Sequence, residues 1–221
     1  DDYFGYGVNI YGDYAIVGAY NHNNGQGAAY IFYNDAGSWN HIAKLTASDG
    51  ADGDRFSYWA VTINDNYALV GAYFHDITNE DCGAAYIFEK PVSGWTDMTE
   101  TQKLSAPENT EDDYFGRSVS IYQDYLVVGA KGDSENGSKA GAAYLYENQS
   151  GTWTLTTKIT PDDGDTNDYF GEAVSINGNY LFIGAELDEE NGSSSGSAYI
   201  FGPPLPVITS NPVSLTDQCG N

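Results

Sequence analysis

Four copies of one pattern fill most of this chain of 221 residues and constrain its fold more than any other feature. Each copy contains a phenylalanine, then a Gly-Ala pair that ends an apolar run, and then an Ala-Tyr pair that opens the next apolar run. The phenylalanines are Phe4, Phe56, Phe115 and Phe170; the Gly-Ala pairs begin at Gly18, Gly71, Gly129 and Gly184; the Ala-Tyr pairs begin at Ala29, Ala85, Ala143 and Ala198. Self-similarity with a period of 52 to 59 residues predicts a repeat architecture of similar units packed side by side.

Each copy predicts four short β-strands. In the first copy, apolar and polar residues alternate from Val8 to Ile10, as in a strand with one buried face. The turn Gly12-Asp13 follows, and residues 14–19 and 27–32 are continuous apolar runs, which indicates strands buried on both faces. The fourth strand begins at a tryptophan and alternates again. The sequence has no helix-period segment of useful length, so the pattern predicts an all-β fold of four-stranded antiparallel blades, a β-propeller.

The outer strand of the copies carries two further features. A lysine recurs there in the first three copies, at Lys44, Lys103 and Lys158, and we expect it to protect an exposed sheet edge from pairing with other chains. In the second copy this strand, from Trp95 to Leu104, has three additional residues, which predicts a bulge or a longer turn.

The copies span about residues 1–53, 54–112, 113–167 and 168–202, and the last departs from the pattern. Where its tryptophan strand should begin, the chain has Pro203, Pro204 and Pro206, and proline cannot donate a hydrogen bond to a β-ladder. We therefore expect the fourth blade to lack its outer strand, residues 203–206 to form a stiff linker, and residues 207–221 to begin a β-sandwich-like module. The missing strand is expected from sequence preceding Asp1, in a longer precursor, which leaves residues 196–201 as an unprotected edge.

The four copies resemble FG-GAP repeats, the blades of integrin-type β-propellers. The first half of that name matches Phe4-Gly5, Phe115-Gly116 and Phe170-Gly171, and Phe56-Ser57 departs from it. The second half matches the Gly-Ala pairs, although the family's following proline is replaced by Tyr20, Tyr73, Lys131 and Glu186. The resemblance covers residues 1–202 and is greatest to the bacterial form, found in large secreted and surface proteins. It implies a ring of about seven blades, of which four are present, and an extracellular or cell-surface location.

The family's calcium sites do not carry over to this chain. Integrin-type blades often hold calcium in a D-x-D-x-D-G loop between strands one and two, and here that loop has only two residues, too few to supply six oxygen ligands. Carboxylates cluster instead in the loops before each phenylalanine. The best candidate is DDGDTND, in which Asp163, Asp165, Asn167 and Asp168 would surround a Ca²⁺ ion. The alternative is a solvated turn whose aspartates cap their own backbone.

The charge of the chain excludes one class of partner. Its formal net charge is −24, with only eight Lys and Arg residues, so it lacks the basic cluster that phosphate binding needs, and we expect no nucleic-acid partner. No apolar run approaches the roughly 20 residues of a membrane span, so we expect no membrane insertion. Cys82 and Cys219 lie in different segments and are not expected to pair.

Four residues are candidates for ligand binding. Tyr20 and Tyr73 follow the Gly-Ala pair at a loop mouth, where their rings would either stack on a sugar or pack against the neighbouring blade. His22 and His75 occupy matching positions in the loop between strands two and three, either as a metal-binding pair on one rim or as ordinary surface residues. No hydrolase, metalloprotease or phosphate-loop motif accompanies them.

These observations leave three functional hypotheses. The first is a non-enzymatic binding, adhesion or structural module of a large bacterial secreted or surface protein, with a protein or glycan ligand at a propeller rim and further domains of the same precursor as partners. The second is a propeller enzyme or a lectin acting on extracellular polysaccharide. The third is a ligand-free spacer or filament subunit. In all of them Phe4, Phe115 and Phe170 are expected to be buried between neighbouring blades.

Overall fold

The structure, a computed structural model, describes residues 1–189 and 192–202 and the backbone of residues 213–214. The predicted linker at 203–206 and Cys219 lie outside the described residues. Within the described part the chain is all-β apart from one four-residue helical turn, and its strands form four sheets, each built on a sequential antiparallel meander. The residues group into two compact units, Asp1–Glu111 and Asp112–Asn221, each with two sheets.

The first sheet contains the strands of the first copy in sequence order. They are β1 (Phe4–Tyr11), β2 (Tyr14–Ala19), β3 (Ala28–Asp35) and β4 (Ser38–Thr46), with the helical turn α1 (His22–Gly25) in the β2–β3 loop. The predicted two-residue turn joins β1 to β2 by pairing Tyr11 with Tyr14, and Gly12 has the positive φ of 54° that this turn requires. The pairing register shifts between Phe4 and Val8, so the phenylalanine sits on an irregular start of its strand.

The second sheet differs from the prediction in its outer strand. Its strands are β5 (Val61–Ile63), β6 (Tyr67–Ala72), β7 (Ala84–Glu89) and β9 (Gln102–Leu104), while β8 (Met98–Thr99) pairs in parallel with β4 of the first sheet. The additional residues are therefore not a bulge within one strand but a bridge between two sheets. Side chains beside β8 reinforce it: Asp97 accepts a hydrogen bond from the Lys44 backbone N–H (2.8 Å), and Glu100 accepts one from the Ser48 hydroxyl (2.6 Å).

The second unit repeats the meander twice. The third sheet consists of β10 (Phe115–Tyr122), β11 (Tyr125–Ala130), β12 (Ala142–Gln149) and β13 (Thr152–Ile159). The fourth sheet consists of β14 (Phe170–Asn177), β15 (Tyr180–Ala185), β16 (Ser197–Phe201) and β17 (Val213–Ser214). β17 pairs antiparallel with Tyr199 and Ile200, so the prediction that this sheet lacks a fourth strand was wrong. The prolines end the repeat pattern, but the chain beyond them still supplies two residues to the ladder.

Consecutive sheets within each unit are joined at the phenylalanine. Phe56 is fully buried, its ring meets Tyr86 edge to face with the centroids 5.5 Å apart, and its backbone forms a parallel bridge with Gly27. A Cβ on Gly27 would overlap the Phe56 carbonyl oxygen, so this approach requires glycine. Phe170 forms the same bridge with Gly141 in the second unit and is also fully buried.

Burial was expected for Phe4, Phe115 and Phe170, and two of the three are buried. Phe115 and Phe170 are fully buried, but Phe4 is 57% exposed, and its ring meets Tyr30 and Phe32 of its own sheet edge to face. The prediction for Phe4 was therefore wrong, because within the described residues no other sheet covers the face of β1 on which this ring lies.

Ser57 explains how the second copy tolerates its departure from Phe-Gly. Its φ is +71°, in the region where the other copies use glycine, and its side chain is fully buried. The hydroxyl donates to the Ala28 carbonyl (2.7 Å) and accepts from the Ala19 N–H (3.1 Å), both in the first sheet. These two bonds compensate for the backbone strain and connect the two sheets of the first unit.

Candidate functional site

The first unit carries an exposed group of aromatic rings that we call the aromatic surface. It consists of Tyr3, Tyr6, Tyr20, Tyr58 and Trp59. Tyr20 lies at its centre: its ring stacks on Tyr3 with the centroids 5.1 Å apart and contacts Tyr6 at 5.0 Å and Tyr58 at 4.3 Å. Tyr6 continues the surface to Trp59 at 4.4 Å, and its hydroxyl donates to that of Tyr58 (3.3 Å).

The backbone positions these rings through the close packing of the first two sheets. Tyr3 and Tyr6 flank the phenylalanine of the first copy, Tyr58 and Trp59 follow that of the second, and Tyr20 follows a Gly-Ala pair. Trp59 is 46% exposed, and Tyr3 and Tyr6 are exposed to a similar degree. Partial burial, followed by the neighbouring Tyr58 and Tyr3, raises the pKa of the Tyr20 phenol, so this group is neutral at physiological pH.

A shallow pocket of about 310 Å³ adjoins the aromatic surface. Arg55 forms the boundary, with its guanidinium 5.5 Å from the ring centroid of Tyr58 and 4.8 Å from that of Phe74. Beyond Arg55 the pocket is lined mainly by carboxylates, which are Asp52, Asp54, Asp76, Glu80 and Asp81. The surroundings of the aromatic surface are therefore negative, with one guanidinium beside the rings.

Three positions that carry tyrosine rings in the first unit carry charged side chains in the second unit. Tyr6, Tyr20 and Tyr58 correspond to Arg117, Lys131 and Glu172, counted from the phenylalanine or the Gly-Ala pair of their copies. Glu172 pairs with Arg117 through one carboxylate oxygen and with Lys131 through the other (2.9 Å). One backbone arrangement thus supports a neutral aromatic surface in one unit and a closed ion-pair group in the other.

A second set of polar residues recurs beneath the loops, three positions after each Gly-Ala pair. These residues are His22, His75, Asp133 and Asp188. His75 Nδ1 lies 2.7 Å from Asp54 Oδ2, and its Nε2 lies 2.8 Å from the ammonium of Lys103. An ammonium can only donate, so Nε2 is the acceptor in that contact.

The recurring tyrosine of strand three completes this network in the second copy. The Tyr86 hydroxyl donates to Asp49 (2.9 Å), which also pairs with the Lys103 ammonium (2.6 Å). Burial, followed by the charge and hydrogen bond of Asp49, raises the pKa of Tyr86 well above its usual range. Burial alone would raise the pKa of Asp49, but the hydrogen bonds from Lys103 and Tyr86 outweigh it and lower that pKa.

The first and third copies have variants of the same network. In the first, His22 accepts from Lys44 (2.8 Å) and pairs with Asp2 (2.9 Å). In the third, Asp133 takes the histidine's place and pairs directly with the Lys158 ammonium (2.7 Å). The ammonium groups of the outer-strand lysines Lys44, Lys103 and Lys158 therefore contact these networks. Their expected role in protecting a sheet edge stays a prediction.

The fourth copy has the carboxylates of the network, but the sequence has no lysine after Lys158. The Tyr199 hydroxyl lies 2.9 Å from Asp188 Oδ2 and 3.0 Å from Asp163 Oδ1. Asp168 is buried and accepts from the Asp165 N–H (2.5 Å). Burial raises the pKa of Asp168; this N–H opposes the rise, and the negative charges of Asp188, Asp165 and Asp163 add to it.

The sequence comparison identifies the repeats. The FG-GAP repeat matches residues 1–32, 39–88, 98–146 and 153–201. The chain belongs to the FG-GAP repeat family. No curated protein matches it.

Solved structures similar to these FG-GAP repeats have low sequence identity. An α-L-arabinofuranosidase from Clostridium thermocellum is 10% identical, with a TM-score of 0.49, and the match covers 96% of this chain and 72% of that one. The β-propeller domain of the Trilobed protease from Pyrococcus furiosus is 12% identical, with a TM-score of 0.48, and the match covers 96% of this chain and 58% of that one.

The predicted ligand-binding residues of the FG-GAP repeats separate into different environments. Tyr20 is central to the aromatic surface, whereas Tyr73 is buried beside Tyr58 (5.7 Å). His22 and His75 each belong to the network of their own copy. Sequence reasoning overlooked Trp59, which contacts Tyr6 and Tyr58. It also overlooked Asp188, which shares the Tyr199 hydroxyl with Asp163, although Asp188 occupies the position of the two histidines.

The predicted calcium ligands lie in one loop of the fourth FG-GAP repeat. Asp163 accepts from Tyr199, Asp165 and Asp168 are joined through the backbone, and Asn167 has a φ of +69° in the turn between them. Within residues 1–189 and 192–202, no three or more His, Cys, Asp and Glu side chains are grouped as ligands of one metal ion. Calcium binding by this loop stays a prediction. In the same residues, no helix has the length and apolar character of a transmembrane segment.

Proposed function

We propose that this chain is a non-enzymatic binding or adhesion module of a bacterial secreted or cell-surface protein, and that the aromatic surface is its ligand site. The observation that carries the proposal is the cluster of Tyr3, Tyr6, Tyr20, Tyr58 and Trp59, whose rings contact one another while three of them are well exposed. Contiguous exposed aromatic area is uncommon on a soluble protein and marks interaction sites.

The comparison between the two units supports a ligand role over a packing role. The fold accommodates ions at the positions of Tyr6, Tyr20 and Tyr58, as the second unit does with Arg117, Lys131 and Glu172. Exposed rings at these positions are therefore not required by the repeat. Tyrosine and tryptophan combine large apolar area with a polar group and lose little conformational entropy on binding, so they dominate many recognition sites.

The charge around the surface restricts the chemistry of the ligand. The chain carries a net charge of −24, and the adjoining pocket is lined by five carboxylates. Polyanions, including nucleic acids, are repelled by this field, whereas neutral glycans and neutral or basic proteins are not. The extracellular location rests on the family, which is typical of extracellular proteins, and on the acidity.

A glycan is the second candidate ligand, and a specific observation favours it. Tyr3, Tyr6, Tyr20 and Tyr58 each carry a phenol hydroxyl, so the aromatic surface combines apolar ring faces with hydrogen-bonding groups. Sugars present the complementary arrangement of apolar C–H faces and hydroxyl edges. A protein ligand would instead bury the rings within a larger water-excluding interface, with Arg55 as a further anchor.

Binding is tested with the full chain against two panels. One contains neutral polysaccharides (a β-glucan, a xylan and chitin oligosaccharides), and the other contains neutral and basic extracellular proteins. Biolayer interferometry measures the affinity, and a change in tryptophan fluorescence that disappears in Trp59→Ala reports occupancy of the aromatic surface, because the chain has four tryptophans. We expect one panel to bind the wild type, and we expect the double variant Tyr6→Ala/Trp59→Ala to lose at least about tenfold in affinity, since hot-spot truncations typically cost about 2 kcal/mol or more.

Trp39→Ala is the matched control, because Trp39 has similar exposure but lies in β4, beside the β3–β4 turn and outside the aromatic surface. It should leave affinity unchanged. Undiminished binding by the double variant would move the ligand site elsewhere. An absence of binding in both panels would favour the ligand-free spacer, and release of new reducing ends from a polysaccharide would favour an enzyme.

A further inference from the structure

The first sheet presents an open apolar face. Val8 and Ile10 on β1 are 66% and 64% exposed, and Phe4 lies on the same strand. Their counterparts in the second copy, Val61 and Ile63, are buried in the core of the first unit. No charged residue occurs in β1, whose sequence is FGYGVNIY. We call this surface the head face.

The fourth sheet also has an exposed apolar face, on β15, at the positions where the earlier sheets contact the next sheet of their unit. Phe182 on β15 is 43% exposed, whereas its counterparts Ile16 and Val127 are fully buried. A Cβ on Gly184 would meet only Ala173 of its own sheet, and Gly196 keeps the positive φ of Gly27 and Gly141. β15, with the sequence YLFIGA, also lacks charge. We call this surface the tail face.

Two interfaces within the chain show what such faces bind. In the first unit Ile16 packs with Val61 and Ile63, and in the second unit Val127 packs with Phe170 and Ile176. In both, a glycine before strand three bridges the phenylalanine of the next copy in parallel, at Gly27–Phe56 and Gly141–Phe170. The tail face has the residues that, in the first and third repeats, contact the following repeat. The head face has the residues that, in the second and fourth repeats, contact the preceding repeat.

We propose that the head face of one copy of this chain docks on the tail face of a second copy, with Phe4 beside Gly196 and with Val8 and Ile10 against Phe182. The contact is heterologous, because different surfaces meet, so it builds a ring when the rotation closes and a filament when it does not. Tyr6 of the aromatic surface lies on β1 between Phe4 and Val8, so this contact adjoins the proposed ligand site.

Electrostatics sets the conditions under which the assembly forms. Neither β1 nor β15 contains a charged residue, but each chain carries a net charge of −24, so two copies repel each other at long range. Salt screens that repulsion and leaves the apolar contact intact. Association is therefore expected to strengthen as ionic strength rises.

Sedimentation velocity of the full chain over a wide concentration range, at low and high salt, tests the assembly. The wild type should sediment faster with concentration, more so at high salt. The head-blocked variant Ile10→Arg and the tail-blocked variant Phe182→Arg should each be monomeric alone, because each solution then lacks one of the two faces. Mixed in equal amounts, they should form a one-to-one dimer and nothing larger, since each supplies the face that the other retains.

Val92→Arg is the control, since Val92 is fully exposed in a turn of the first unit and lies on neither face; it should associate like the wild type. Circular dichroism verifies that the variants are folded. A wild type that is monomeric at every concentration and salt level overturns the proposal. So does a mixture of the two blocked variants that stays monomeric, or a blocked variant that self-associates alone.

Discussion

Tyr199 shares one hydroxyl hydrogen between two carboxylates. Asp188 and Asp163 lie at 2.9 and 3.0 Å from its oxygen, and the buried Asp168 is close enough to both for their charges to raise its pKa. In the third copy the ammonium of Lys158 offsets the charge of Asp133. The fourth copy has these carboxylates without a lysine of its own, and their negative charges add to the rise in the pKa of Asp168 that burial causes.

Asp168→Asn should change how stability depends on pH. Burial raises the pKa of Asp168 in the folded chain above its ordinary value of 3.8, so the folded state holds this proton more tightly than the unfolded state. Its contribution is full below 3.8 and is lost as the pH rises through the raised folded pKa. We therefore expect Asp168→Asn to gain in melting temperature, relative to wild type, as the pH rises from 3.8 through the raised folded pKa of Asp168.

Thermal melts of both proteins in a chelating buffer measure this difference, because the chelator removes any contribution from bound calcium. The amide oxygen of the introduced asparagine can still accept from the Asp165 N–H, so the loop geometry is kept. A constant difference in melting temperature across the pH range would contradict the shift.

Among the strands, the repeat phenylalanine joins one sheet to the next within each unit, at Phe56 and at Phe170. Phe170 is fully buried against Tyr199 at 5.2 Å and belongs to the core of the second unit. Phe170→Ala should cost about 3–5 kcal/mol of unfolding free energy, as is usual for a buried phenylalanine. Urea unfolding followed by far-ultraviolet circular dichroism measures the loss.

Phe4→Ala provides the comparison on the same sequence motif, because Phe4 is largely exposed. In dilute solution it should cost less than about 1 kcal/mol, like other surface substitutions. Equal losses at the two positions would mean that the phenylalanine does not join the sheets in the way described.

The strands could be predicted from the sequence where a local pattern determines them. The two-residue turns and the apolar runs ending in Gly-Ala specify the meander, and the structure has it in all four copies. β8 and β17 could not be predicted, because each has two residues and its partner is chosen by tertiary contact rather than by periodicity. The exposure of Phe4 could not be predicted either, because the same motif places a buried phenylalanine in the other three copies.

The candidate site was only partly predictable for a similar reason. Tyr20 was predicted as a candidate because it follows a Gly-Ala pair at a loop mouth. Its contact with Tyr58 joins two copies of the repeat, as does the contact of Tyr6 with Trp59, and no local pattern reports which side chains of adjacent sheets meet. The network around His75 was missed because its members Asp49, Asp54 and Lys103 are distant in sequence.

For the whole molecule, two electrostatic effects oppose each other. There are 32 acidic and eight basic side chains, so long-range repulsion opposes the folded state. Short ion pairs such as Lys158–Asp133 (2.7 Å) and Lys103–Asp49 (2.6 Å) support it. Salt weakens long-range repulsion more than short, partly buried pairs, because the screening length falls from about 10 Å at 0.1 M to about 3 Å at 1 M.

The melting temperature of the full chain should therefore rise with sodium chloride concentration. Differential scanning fluorimetry with sodium, potassium and choline chlorides at matched ionic strength measures the effect, and the three salts should agree because screening does not depend on the cation. A melting temperature that falls with salt would mean that the ion pairs outweigh the repulsion.

The partners of the six lysines restrict how the protein can be modified chemically. Lys103, Lys131, Lys139 and Lys158 pair with carboxylates, Lys44 contacts His22, and Lys90 lies over the ring of Tyr14. Acylating one of these lysines removes its charge and the contact that its ammonium makes. Reagents directed at amines will thus loosen the fold where they react. Attachment through the abundant carboxylates, or through a tag, is the gentler way to immobilise this chain.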